Sequence, residues 1–177
     1  MRKKLLKYAF ATVIIIVLLR FLLSFELVKT VDRGGDGFPL SAELKEQIAN
    51  DTKGFTEDEI ITYSTKQTAK MLRFTKTNDI EAGKANCVGY AKLCAAICQQ
   101  CFDSNKIKGK AKPVVGDVRR FGVSICKTLK SIVPSSWEGF VKDHDFVEVQ
   151  LPDKTVFFDA CFYDYTYNNC KKTIMKK

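Results

Sequence analysis

The chain has a single histidine, His144, among its 177 residues. Any chemistry that needs an imidazole must therefore use that one side chain. Only ten Gly and four Pro are present, which excludes a collagen-like chain, and neither an internal repeat nor a low-complexity tract is visible. Carboxylates are outnumbered: Asp+Glu total 20 against 29 Lys+Arg, a net charge of +9. With 46% hydrophobic and 28% charged positions, the chain is too apolar to be disordered throughout. Its length suits one domain of ordinary size and is too short for two substantial ones.

The excess positive charge is uneven. Residues 1–33 hold seven basic and two acidic side chains (+5), and residues 34–177 hold 22 and 18 (+4). More than half of the imbalance thus lies beside an apolar segment, where it speaks of membrane topology. The remainder is too mildly basic to mark a nucleic-acid surface, and no nucleic-acid partner is expected.

Arg2, Lys3, Lys4 and Lys7 precede a stretch without charge from Tyr8 to Leu19; Arg20 interrupts it, and it resumes to Phe25. The first twelve residues alone match a signal-peptide core. Counted through Phe25 there are eighteen residues with one Arg, near the roughly 20 that cross a bilayer as a helix. Arg20 can snorkel to the far interface. Leu22-Leu23-Ser24 is a poor cleavage site, so an uncleaved anchor over residues 1–28 is preferred to a cleaved signal or a peripheral helix. A basic N-terminus stays cytoplasmic and sends the rest across. The expectation is a single-pass protein of a bacterial inner membrane with an extracytoplasmic domain, or alternatively a secreted one.

Residues 29–40, rich in Gly and Asp with Pro39, read as a linker. Ser41 can cap a helix to about Asn50, and Thr56-Glu57-Asp58-Glu59 is a capping box for another, ending near Thr75. Cys87 to Cys101 reads as a helix of small and apolar residues, Lys112 to Val118 as a β-branched run, and Val123 to Val133 as a further helix. Asp145–Leu151 and Thr155–Asp159 read as a hairpin turning at Pro152-Asp153-Lys154. Residues 166–177 read as a basic tail after a domain over 41–165. Helices first and antiparallel strands last give an α+β fold.

Cys87 stands where a polar loop meets a helix, a place whose unsatisfied amides and dipole favour a thiolate. His144 opens one strand of the hairpin and Asp159 closes the other, so the two approach at one end. A carboxylate there can fix the imidazole while its second nitrogen serves a thiol.

Asn86-Cys87-Val88-Gly89-Tyr90-Ala91-Lys92-Leu93 resembles the nucleophile motif of the transglutaminase-like superfamily. Lys108 to Gly116 is similar to the basic-to-valine strand that follows in that family, His144-Asp145-Phe146-Val147-Glu148-Val149 to its histidine strand, and Phe157-Phe158-Asp159-Ala160 to its aspartate end. The resemblance covers residues 55–165, in the family's order. It implies a papain-like core in which a nucleophile helix packs on a small antiparallel sheet. It also implies catalytic roles for Cys87 as nucleophile, His144 as base and acid, and Asp159 as orienting residue. The activity implied is peptide or isopeptide hydrolysis or acyl transfer on a peptide or protein substrate, with no metal or other cofactor. Phe146 stands where the family has Trp, and Ala160-Cys161 where it has Pro-Thr, which alters pocket and loop. The alternative is a non-catalytic peptide-binding or assembly module of the same fold.

Seven cysteines in an exported domain are expected to pair in part. Cys94-x3-Cys98-x2-Cys101 has the spacing of a radical S-adenosylmethionine iron–sulfur motif, but on a helix those positions share one face and read as a packing seam. Zinc bound with His144, or disulfides to Cys126, Cys161 or Cys170, are the other readings. Arg119 to Trp137 reads as an insertion able to line or cover the cleft.

Overall fold

The computed structural model describes residues 25–34, 37–132, 143–167 and 170–176. The segment expected to form the anchor lies almost wholly outside them. No helix among the described residues is long and apolar enough to cross a membrane.

The chain folds as α+β. Helix α1 (Ala42–Asp51) starts where the Ser41 hydroxyl accepts the Leu44 N–H at 3.2 Å. Helix α2 (Glu57–Met71) starts at Thr56 with both halves of the capping box made, and its first turn is acidic, which suits the helix dipole. Its buried face carries Ser64, Thr65 and Thr68, which can be buried because each hydroxyl donates to the carbonyl four residues back at 2.8 Å. A short parallel pair, β2 (Arg73–Phe74) and β3 (Lys84–Ala85), leads into helix α3 (Cys87–Ser104).

Six antiparallel strands form the sheet: β1 (Glu26–Asp32), β4 (Lys110–Arg120), β5 (Val123–Ser124), β6 (His144–Gln150), β7 (Lys154–Phe158) and β8 (Lys171–Met175). The order is β1-β4-β6-β7-β8, with β5 paired to the end of β4. β6 is covered on both faces. Val147 and Val149 join the core under α3, while Phe146 faces a second cluster with Leu27, Val114, Val118 and Phe157. That second cluster fills the concave side of a curled sheet whose edge strands approach each other, Lys172 Nζ lying 2.6 Å from Glu26. The curl is tight at Gly116, where a Cβ would fall 2.3 Å from the Val28 carbonyl oxygen.

Three segments differ from expectation. Residues 26–32, expected as the end of an anchor and the start of a linker, form edge strand β1. The expected basic tail supplies the opposite edge, β8, after helix α5 (Ala160–Thr166), with Lys171 bonded to Asp58 at 2.7 Å. Edge strands need no buried alternation, so lysines are tolerated in them and the apolar pattern is lost. The helix expected over 123–133 is helix α4 (Ile125–Lys130) only. Its first two expected residues belong to a hairpin whose central residues, Phe121 and Gly122, have φ of 53° and 77°, as a tight two-residue turn requires. Trp137 lies outside the described residues.

Candidate active site

Asn86 starts α3 by accepting the Val88 N–H on its side-chain oxygen at 3.0 Å, and its own N–H donates to Asn78 Oδ1 at 3.0 Å. Gly89 lets that first turn sit against the preceding loop. A Cβ there would lie 2.6 Å from both Ala85 Cβ and Asn78 Oδ1. Cys87 is thereby fixed as the first helical residue, with its thiol at the rim of the core.

His144 opens β6 opposite Gly116. In the β6–β7 register Val147 faces Phe158, so Asp159 falls level with Phe146 and diagonal to His144. Both Asp159 oxygens are engaged. Oδ2 meets His144 Nε2 at 2.5 Å, and Oδ1 accepts the Phe162 N–H at 2.9 Å, capping α5. Cys87 lies close enough to act on the same imidazole, and with Nε2 on the carboxylate the ring nitrogen left over is Nδ1. Burial alone would lower the His144 pKa. The charge and hydrogen bond of Asp159, followed by those of Cys87, outweigh it and hold the imidazole well above its usual range. The three residues singled out in the sequence therefore meet in one place.

A second, part-buried ion pair adjoins them. Arg33 Nε and Nη2 donate to the two Asp145 oxygens at 2.7 and 2.5 Å, and Asp145 is only 1% exposed. Asp145 raises the Arg33 pKa against burial, and Asp143 and Cys87 add to that field. Nothing in a Gly- and Asp-rich stretch marks Arg33 in advance, since its partner lies 112 residues away. Tyr90 in α3 donates to Asp164 of α5 at 2.6 Å, joining the two helices that carry Cys87 and Asp159. Cys126 is a further neighbour: burial pushes its thiol up, and the charge of His144 opposes that. A cavity of about 500 Å³ runs from Arg33 between Phe38, Leu40, Ala95, Gln99 and Pro113.

The remaining cysteines are core residues. Cys94, Cys98 and Cys101 are fully buried on one face of α3. Burial pushes Cys94 up to about 12 and Cys101 to about 11, against hydrogen bonds from Thr68, Ser64 and Thr52. The expected partial pairing is not found; all seven cysteines are free, buried thiols. No group of three or more metal-ligating side chains is assembled among the described residues, and His144 Nε2 is committed to Asp159.

Comparison of the chain with protein-family models, curated proteins and solved structures finds no match.

Proposed function

We propose that the protein carries out thiol-dependent amide chemistry on a peptide or protein substrate, in the manner of the transglutaminase-like family that its motifs resemble. The observation that carries this reading is one part-buried imidazole bonded through Nε2 to a buried carboxylate, with a helix-terminal thiol close enough to raise its pKa. Asp159 fixes the tautomer with its proton on Nε2, so Nδ1 is free to take the thiol proton. The thiolate then attacks the amide carbonyl: the C–S bond forms and the π pair moves to oxygen, toward the Cys87 N–H at the open end of α3. Collapse breaks the C–N bond, and the imidazolium gives its proton to the leaving amine. Water or a second amine, deprotonated by His144, cleaves the acyl-enzyme and regenerates the thiolate. An N-terminal anchor would place this chemistry on the extracytoplasmic side of a membrane.

The cavity along α3 favours a second reading, a module that holds a peptide without turnover, because Cys87 is not part of its lining. Alkylation of Cys87 by iodoacetamide across roughly pH 5–9, followed by peptide mass spectrometry in wild type and His144→Ala, separates the two. Selective labelling of Cys87 below neutrality that is lost in His144→Ala is expected. Equal rates in both proteins would remove the basis for catalysis and leave the binding module.

A further inference from the structure

The sequence from Arg119 to Ile132 contains four basic side chains, Arg119, Arg120, Lys127 and Lys130, and no carboxylate. It forms the β4–β5 hairpin tip and α4, and it leaves large apolar side chains in water. Phe121 is 56% exposed, Val123 62% and Ile132 72%. Phe121 also sits at φ 53°, a conformation that a bulky L residue rarely adopts. Turn geometry would be better served by Asn or Gly at that position, and burial does not account for a phenyl ring there. Asp117 bonds to Arg119 at 3.2 Å but lies behind the tip.

The position of this tip relative to the N-terminal sequence decides what it faces. Glu26 pairs with Arg119, so Phe25 is level with Arg120, and the Arg120 guanidinium lies 5.6 Å from the Phe25 ring centre and 5.5 Å from that of Phe121. Phe25 is the last residue of the apolar run that starts at Tyr8. Phe25 therefore lies at the same end of the sheet as the hairpin tip. A projecting point of Phe and Val ringed by Arg and Lys suits insertion between lipid headgroups, whereas a protein partner would require a fitted socket.

We propose that the hairpin tip and α4 form a membrane-interface patch that seats the domain on an anionic lipid surface. The patch stands independently of the catalytic reading. If both hold, the end of the sheet bearing His144 and Asp159 faces the bilayer. His144 lies level with Gly116, five residues before the tip and about 17 Å from it along the strand, so accessible substrates would be membrane-proximal.

The test uses the full-length chain with Trp137→Phe and Phe121→Trp, which makes the indole at the tip the only one. The chain is reconstituted by detergent removal into vesicles of brominated phosphatidylcholine, with or without phosphatidylglycerol. Blue-shifted, bromine-quenched emission is expected in the anionic vesicles. Adding Lys127→Glu and Lys130→Glu is expected to weaken tip insertion by about fivefold per charge removed, and further on reversal. Val123→Trp, on the other side of the turn, gives the same reading if the Phe121 variant does not fold. An indole open to aqueous iodide and untouched by bromine in both lipids would overturn the proposal and leave the patch to an acidic protein. Failure to associate with the vesicles, or insertion indifferent to the two lysines, would overturn it as well.

Discussion

Replacing Asp159 by Asn tests the proposed site more sharply than deleting the side chain does. In the native protein one carboxylate oxygen accepts from His144 Nε2 at 2.5 Å and the other from the Phe162 N–H at 2.9 Å. An amide has one acceptor oxygen, and its NH2 repels whichever N–H it faces. If the Asn oxygen keeps the cap, its NH2 faces the imidazole and drives the ring proton to Nδ1, where it points at sulfur. The general base is then lost, and turnover should fall by roughly 10²–10⁴. If the oxygen keeps the imidazole, α5 loses its cap, at about 1 kcal/mol, and the NH2 is pressed against the Phe162 N–H. Urea unfolding and the Cys87 alkylation rate, measured on the same preparation, read the two branches. At least one must change. Stability within about 0.3 kcal/mol of wild type together with an unaltered alkylation rate lies within ordinary surface-substitution noise and would refute the reasoning.

Three further outcomes are expected. The His144 pKa is raised in the folded protein, so its contribution to stability is full below the unfolded value of about 6.5 and is lost as pH rises through the folded value. Urea unfolding of wild type and His144→Gln should therefore show a stability difference that shrinks from about pH 6 upward; a constant or widening difference would contradict the pairing with Asp159. Gly89→Ala gains up to about 1 kcal/mol in helix propensity but forces a methyl into two contacts of 2.6 Å. Overpacking of roughly 1–3 kcal/mol should win, lowering the denaturation midpoint and slowing Cys87 alkylation. Arg33→Gln leaves the Asp145 carboxylate buried without its counter-ion, at about 3 kcal/mol. Arg33→Gln/Asp145→Asn should recover most of that in a double-mutant cycle, and strict additivity would show that the pair is not coupled.

How much of this was legible in the sequence varied with how local each signal was. The Thr56 capping box, the α3 helix and the β6–β7 hairpin depend on neighbours a few residues apart, and their starts were readable within a residue or two. The hairpin also brought His144 and Asp159 to one end, because fifteen residues and a tight turn leave little freedom. β1 and β8 were missed because edge strands keep their polar side chains in water and show no alternation. Arg33 escaped for another reason: its only mark is the partner it finds across the sheet. Cysteine spacing was legible too, as the packing seam that helix geometry predicts, whereas the expected partial pairing was not found. Cys94, Cys98 and Cys101 fall at helical intervals because α3 buries one small-residue face against Ser64 and Thr68, and no redox chemistry follows from that pattern.

β1 has a consequence for the order in which the molecule comes together during synthesis. It is the first made of the described strands, yet its sheet neighbour ends only at Arg120. At translation rates of 5–20 residues per second the intervening chain takes roughly 5–20 s to appear. Until then Leu27 has no core to enter, and Arg33 must wait longer still, for Asp145. An early strand with a late partner is a high contact-order element, slow to pair and exposed while it waits. The nascent chain would pass through a stage with Cys87 already translated and its histidine not yet made. The thiol would thus meet its proposed base only when the second half of the sheet arrives, which would delay any nucleophilic competence until most of the sheet is made.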